Sequence, residues 1–209
     1  MVLMTASIAT IDTPLGRPVL AETLPRVLTR TGATIMMAAA LTALAAQVAI
    51  PVPGSPVPIT GQTFAVLLTA AALGPARGAA AQVLYLVLGA VGLPVLAGAA
   101  HGPAAMFGAS GGYLIAFPVA AAVVGYGARR GADRSPALTL LLFGVASVVI
   151  YLIGTVWLCL DTGMSASAGF AAGVRPFLPG DAAKALLAAG LLPAAWRVAA
   201  RGITERFQD

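Results

Sequence analysis

Asp181 and Lys184 are the residues of this chain whose types and spacing most clearly suggest chemistry. Lys184 is the only lysine among 209 residues, and Asp181 precedes it by three positions. Side chains at this spacing lie on one face of a helix. The stretch 182–192 is otherwise alanine, leucine and glycine, and it is apolar enough to enter a membrane. Because ionisable groups are costly in such a helix, we expect this pair to belong to a functional site.

A purely structural role for the pair remains open. Asp181 follows Gly180 and could cap the helix, because a carboxylate accepts hydrogen bonds from the amides of the first turn. Lys184 could then simply pair with Asp181. However, a lysine near the N-terminus of a helix opposes the helix dipole. A bound polar ligand would account for a lysine at this position.

The composition indicates an integral membrane protein. Hydrophobic residues make up 59% of the chain and charged residues 9%, with a mean hydropathy of +0.94. A soluble domain contains about 25% charged residues. The apolar runs are continuous and do not alternate with polar residues, which favours helices over membrane strands. At about 20 residues for each span, we predict an all-α integral membrane protein with six transmembrane helices in one bundle.

Breaks in the apolar pattern divide the chain into a leader, a membrane domain and a tail. The leader is residues 1–30, with a short surface helix near 20–30; the membrane domain is 31–200, and the tail is 201–209. The six spans are predicted at about 33–50, 62–73, 77–93, 113–127, 137–160 and 181–200. Prolines between 51 and 58, and glycines between 94 and 112, exclude regular helix from two of the connections.

The basic residues predict an orientation in which both termini are cytoplasmic. Only Arg175 and Lys184 then fall in the outer half. The other ten lie on the cytoplasmic side, as the positive-inside rule requires: Arg17, Arg26, Arg30, Arg77, Arg129, Arg130, Arg134, Arg197, Arg201 and Arg206. This orientation gathers the proline-rich loop, the glycine-rich loop and the start of span six on the outer side.

Several polar and small residues within the spans are further candidates. Gln62 and Gln82 carry amides, and Tyr85 lies one helical turn after Gln82. They could bind a ligand or bond across helices, since both roles occur in membranes. Ala39 and Ala43 have the spacing that allows close helix approach, either within the bundle or with another membrane subunit.

The chain lacks the residues that several other classes of function require. The arginines are not interleaved with aromatic residues, which argues against nucleic-acid binding. His101 has no second histidine, so we expect no metal site and no catalytic triad. The chain lacks a phosphate-binding glycine–lysine motif and cannot itself be an ATPase. Cys159 is the only cysteine, which excludes an intrachain disulfide. We expect no cofactor.

Five segments in order resemble the BioY family, the biotin-specific substrate-binding components of energy-coupling factor (ECF) transporters. The segments are 57–68, 73–78, 85–95, 111–114 and 176–181, the last followed by Lys184. Each segment is weak alone, but their order and spacing are specific. The resemblance extends over about residues 33–195. One departure is that this chain contains no asparagine, so an amide contact to biotin must come from Gln62, Gln82 or the backbone.

The resemblance implies the ECF S-component fold and high-affinity biotin binding near the outer face, without catalytic activity. It implies a multi-pass protein of the prokaryotic cytoplasmic membrane. Its implied partners are the lipid bilayer, a transmembrane coupling (T) subunit and two cytosolic ABC-type ATPases, with docking partly through the small-residue face of span one.

The chemistry of biotin leaves two assignments open for Lys184. Asp181 can accept from a ureido N–H, while Lys184 can donate to the ureido carbonyl or pair with the carboxylate tail. The first is preferred because one helical turn spans only about 5 Å. The tail would then meet glycine-loop amides, His101 or Arg175. Phe64, Tyr85 and Phe107 are candidate apolar walls. Alternatives are another vitamin, such as thiamine or riboflavin, an intramembrane enzyme, or a scaffold without a ligand.

Overall fold

The computed structural model of the protein describes residues 16–23 and 31–205, with the backbone alone for 201–205. Much of the predicted leader and the end of the tail lie outside these ranges. Within them the fold is predominantly helical, with eight α-helices and one small antiparallel sheet. The described residues therefore confirm the mainly helical class that the continuous apolar runs predict.

The helices alternate in direction between two ends of one bundle. The α-helices are α1 (Thr31–Ala46), α2 (Gln62–Leu73), α3 (Pro75–Ala90), α4 (Gly102–Phe107), α5 (Gly111–Arg129), α6 (Pro136–Thr162), α7 (Ala166–Gly173) and α8 (Leu178–Glu205). The strands are β1 (Ala49–Ile50) and β2 (Ile59–Thr60). We call the end that carries Arg77, Arg129 and Arg134 the arginine end, and the end that carries the sheet and α4 the loop end.

Six of the helices correspond to the predicted spans, and α2 has the predicted bounds. The glycine-rich connection 94–112, predicted as irregular, contains the short helix α4, and the connection between the fifth and sixth predicted spans contains α7. Pro103 in the first turn suits the start of α4. Ser165 caps α7 by accepting a hydrogen bond from the Ala168 amide at 3.3 Å. Short helices therefore form in both connections, α4 with a proline in its first turn and α7 with a side-chain cap.

Among the residues that the structure describes, three helices are long and apolar enough to cross a membrane. They are α5, α6 and the part of α8 from Leu178 to Ala200. Helices α1 and α2 are apolar but shorter, with 16 and 12 residues. Helix α2 ends at Gly74, whose φ of +84° favours glycine, and Pro75 then starts α3. The two helices therefore meet in a tight turn at the arginine end.

Helix α5 lies at the centre of the bundle and approaches its neighbours closely. A Cβ on Gly125 would lie 2.4 Å from both the Gly74 carbonyl carbon and the Pro75 nitrogen. At the other end of α5, a Cβ on Gly112 would lie 2.2 Å from the Trp157 Cβ on α6. Since no side chain fits at either position, these glycines set the spacing of α5 against α3 and α6.

A short hairpin closes the loop end. Strands β1 and β2 pair antiparallel, with Ala49 opposite Thr60 and Ile50 opposite Ile59. The proline-rich connection between them spans residues 51–58. Because α2 starts immediately after β2, the hairpin holds the backbone of Thr60 beside the first turn of α2.

The described part of the leader packs against the arginine end. Val19 is completely buried, and the Arg17 amide donates to the Arg129 carbonyl at 2.8 Å. Glu22 accepts from Arg77 at 2.9 Å and from Arg129 at 2.6 Å. The predicted surface helix is here a short 3₁₀ turn at Leu20–Thr23, and the rest of it lies outside the described residues. This turn links the leader to α3 and α5.

A second contact anchors α8 at the same end. The Trp196 indole donates to the Asp133 carboxylate at 2.6 Å, and Arg134 stacks over the Trp196 ring at 4.1 Å. Burial raises the pKa of Asp133, and the Trp196 hydrogen bond opposes that rise only in part. The turn between α5 and α6 is thereby joined to the last turns of α8.

The close approach of α5 predicts a selective response to added methyl groups. Gly125→Ala should destabilise the protein by about 1–3 kcal/mol, because the Cβ meets backbone atoms that cannot rotate away. Gly144→Ala is the matched control, since a Cβ there meets nothing within 4 Å. Thermal unfolding in detergent should show a lower midpoint only for Gly125→Ala. Equal midpoints for the two variants would contradict this packing.

Candidate functional site

Asp181 and Lys184 form an ion pair at the loop end. Lys184 Nζ lies 2.8 Å from Asp181 Oδ1, and the two side chains are 20% and 12% exposed, respectively. Helix α8 starts at Leu178, three residues earlier than predicted, so Asp181 is inside the first turn and is not the N-cap. Its amide bonds the Phe177 carbonyl at 2.9 Å. Of the purely structural alternative, the cap at Asp181 is therefore wrong while the pairing with Lys184 is present, and the carboxylate is left for other partners.

Lys184 is held by acceptors from three parts of the chain. Its ammonium donates to the Thr60 carbonyl, to Thr63 Oγ1 and to Asp181 Oδ1, each at 2.8 Å. An ammonium has three N–H donors, and each has an acceptor here. This arrangement explains how a lysine is tolerated near a helix N-terminus, because the hairpin and α2 supply two of its three acceptors.

Asp181 is equally well connected. Its Oδ1 accepts from Thr63 at 3.2 Å in addition to Lys184, and its Oδ2 accepts from the Tyr151 hydroxyl on α6 at 2.5 Å. Neither Thr63 nor Tyr151 is among the site residues predicted from the sequence. A tyrosine within the apolar run 148–153 is a signal that could have identified Tyr151, whereas Thr63 has no distinguishing pattern.

The ion pair lies in the wall of a cavity of about 300 Å³ at the loop end. This volume is at the lower end of the range for small-molecule sites. Most of the wall is apolar, and the charged side chains in it are Asp181 and Lys184. The remaining lining residues are Pro56, Pro58, Thr60, Gln62, Thr63, Leu96, Ala97, Ala100, Ala104, Ala105, Gly108, Ala109, Ser110, Tyr113, Leu114, Phe117, Ile150, Tyr151 and Phe177.

Gln62 is held in the cavity wall by two hydrogen bonds. Its Nε2 donates to the Tyr85 hydroxyl at 2.5 Å, and its Oε1 accepts from Thr60 Oγ1 at 2.8 Å. Tyr85 is completely buried behind Gln62 and does not line the cavity. Tyr85 therefore supports the orientation of the amide and does not itself form an apolar wall.

Three other predicted site residues lie away from the cavity. Gln82 is completely buried and donates to Thr42 on α1 at 3.3 Å, which is a helix-packing contact. Phe107 is 55% exposed and packs against Trp157. Phe64 is half-buried against the core. None of the three is among the cavity-lining residues, since their helices turn these side chains elsewhere.

The aromatic wall of the cavity consists of Tyr113, Phe117 and Phe177, which are not among the site residues predicted from the sequence. Tyr113 and Phe177 stack with ring centroids 6.3 Å apart, and Phe117 lies one turn further along α5. The Tyr113 hydroxyl donates to the Gly173 carbonyl at 2.8 Å. Helices α5 and α7 are thus joined beside the cavity.

Two residues proposed for the carboxylate tail lie outside this wall. His101 is exposed, and its ring bonds the Ala99 carbonyl at 3.1 Å. Arg175 is exposed as well. The glycine-loop residues Gly108 and Ser110 do line the cavity, so that part of the prediction has a structural counterpart. Among the described residues, no group of three histidine, cysteine or carboxylate side chains could hold a metal.

The alanines proposed for docking differ in exposure. Ala39 is 1% exposed and belongs to the core, while Ala43 packs partly buried against it. This burial favours the packing alternative for Ala39. The exposed face of α1 carries larger side chains, at Met36, Met37, Leu41 and Leu44.

Comparison with known proteins gives consistent matches. The sequence model of the BioY family matches residues 4–201. A probable biotin transporter BioY of Pyrococcus horikoshii is 42% identical over 71% of this chain and 85% of its own length. The biotin transporter BioY of Rhizobium etli is 33% identical over 75% of this chain and 87% of its own length.

The fold also has a counterpart among solved structures. A crystal structure described as the S-component for biotin from an ECF-type ABC transporter matches with a TM-score of 0.74 and 23% identity. The match covers 83% of this chain and 94% of that one. Given the family match across nearly the whole sequence and helices able to span a membrane, this chain is a membrane protein and belongs to the BioY family.

Proposed function

We propose that this protein is the biotin-binding S component of an ECF transporter. The names of its relatives and the shared fold support this assignment. The observation that carries it is the cavity at the loop end, in which one carboxylate and one ammonium are held in an otherwise mostly apolar wall. Membership of a transporter family favours binding over catalysis by this pair.

The hydrogen-bonding capacity of Asp181 suits the ureido head of biotin. A carboxylate offers about four lone-pair sites, and three donors already occupy Asp181. One site remains for a ureido N–H. Lys184 can donate to the ureido carbonyl if that oxygen replaces one of its present acceptors. The apolar bicycle would then rest against Tyr113, Phe117 and Phe177.

The ion pair also bears on the choice between head and tail. Asp181 lies 2.8 Å from the ammonium and neutralises much of its charge, which weakens its attraction for a distant carboxylate. This favours the ureido head as the partner of Lys184. The chain contains no asparagine, and Gln62 is the side-chain amide that lines the cavity.

The proposed topology places six spans across the cytoplasmic membrane with both termini inside. Its support is the ten-to-two division of the basic residues, which assigns the arginine end to the cytoplasm. The cavity at the loop end would then receive biotin from outside. A T subunit and two cytosolic ATPases would supply the energy for delivery. Docking could involve the exposed face of α1 near Ala43.

The first test is isothermal titration of the purified protein with biotin. We expect saturable binding to one site for each chain, because the described cavity is large enough for one small ligand. Thiamine and riboflavin are the comparison ligands. Binding of either vitamin in preference to biotin would contradict the ligand assignment, and binding of none of the three would favour a scaffold role.

The second test measures how much each residue of the ion pair contributes to biotin binding. Asp181→Asn and Lys184→Met should each weaken biotin binding at least about 30-fold, since each removes one partner of a partly buried, hydrogen-bonded charge pair. Arg175→Met is the matched control, because this exposed cation lies outside the cavity and should leave the affinity unchanged. Thermal unfolding of each variant checks that the fold is retained.

Biotin methyl ester then identifies which end of the ligand Lys184 contacts. If Lys184 binds the ureido head, Lys184→Met weakens biotin and its methyl ester by the same factor. If it binds the tail, the variant weakens biotin far more than the ester. Wild-type affinity in both Asp181→Asn and Lys184→Met would overturn the site itself.

A further inference from the structure

A second cleft lies at the arginine end, far from the ligand cavity. It has a volume of about 680 Å³ and lies between the start of α3 and the end of α5. Its walls are Gly16, the segment 73–77, Tyr126, Arg129 and Arg130. None of these residues lines the cavity that contains the ion pair.

The described part of the cleft carries more positive than negative charge. Arg77, Arg129 and Arg130 contribute three guanidinium groups. The carboxylate of Glu22 forms ion pairs with two of them, Arg77 and Arg129. Arg130 bonds the Tyr126 hydroxyl and lies 4.6 Å from the centre of that ring, with no carboxylate partner among the described residues. An anion entering the cleft would therefore find an excess of positive charge.

The cleft also contains hydrogen-bond donors that have no acceptor within the described protein and could bind an anion. Of the five N–H donors of a guanidinium, Arg77 uses two within the described protein and Arg130 uses one. Helix α3 starts at Pro75, also in the cleft wall, and no side chain caps it. The first amides of a helix have no partner within the helix and favour anions. Arginine side chains and these amides are suitable donors to a phosphate group.

An apolar helix face continues from the cleft along α5. Ile115, Val119 and Tyr126 are 37%, 47% and 55% exposed and share one helical face through spacings of four and seven residues. Arg130 follows four residues after Tyr126, at the cleft. A molecule with an anionic head in the cleft would therefore have an apolar surface beside it for a hydrocarbon tail.

We propose that this cleft binds the phosphate of an anionic phospholipid in the cytoplasmic leaflet. The arginines hold the head group, and the acyl chains follow the exposed face of α5. Basic pockets at the cytoplasmic ends of membrane helices are suited to such head groups. The proposal rests on the orientation proposed above but not on the identity of the transported ligand.

Lipid retention tests the proposal with the whole protein. The protein is reconstituted in nanodiscs that contain equal parts of phosphatidylglycerol and phosphatidylcholine, and the lipids that remain bound are counted by native mass spectrometry. We expect a preference for phosphatidylglycerol, reduced about fivefold by Arg130→Gln. Arg197→Gln is the matched control, because Arg197 is an exposed arginine outside the cleft and should leave the preference unchanged.

Two additional measurements make the outcome decisive. Biotin titration of Arg130→Gln should match the wild type, since Arg130 is not part of the ligand cavity. Inorganic phosphate and phosphatidylglycerol are compared in a separate thermal-shift arm, where we expect stabilisation by the lipid and little by phosphate. Equal retention of the two lipids, an equal effect of the two variants, or stabilisation by free phosphate as strong as by phosphatidylglycerol would overturn the proposal. In the first case an acidic segment of a partner subunit becomes the better occupant.

Discussion

The loop end depends on one requirement, which is that the ammonium of Lys184 must not be left unpaired in an apolar bundle. An isolated buried charge is far more costly than a hydrogen-bonded pair. The hairpin, the first turn of α2 and the first turn of α8 each supply one acceptor to Lys184, and α6 supplies a donor to its partner Asp181. The ammonium therefore determines how four elements meet, and the cavity is the space beside that meeting point.

This network also explains why the irregular segments are ordered as they are. Lys184 on α8 donates to the Thr60 carbonyl, which holds β2 against the start of α8. The rigid proline-rich connection leaves the hairpin few alternative positions. On the other side of the cavity, Tyr113 reaches the Gly173 carbonyl and fixes α7 against α5. The walls of the cavity are consequently set by hydrogen bonds at its rim and not by core packing alone.

The two ends of the molecule use charge in different ways. At the loop end, one acid and one base neutralise each other within a largely apolar wall. At the arginine end, Glu22 only partly offsets a group of guanidiniums. The tight approach of α5 at Gly125 and Gly112 connects the two ends through closely packed helices.

The sequence alone determined the mainly helical membrane class of the protein and singled out Asp181 and Lys184, because hydropathy and lone charges are properties of composition and local spacing. It also identified Gln62 as a cavity residue. Only the tertiary structure decided that Tyr85 supports Gln62 from behind, that Gln82 and Ala39 face the core, and that Thr63 and Tyr151 complete the site. The rotation of each helix in the bundle selects which side chains face the cavity. That rotation depends on contacts such as Gly125 against Pro75, between residues far apart in the chain.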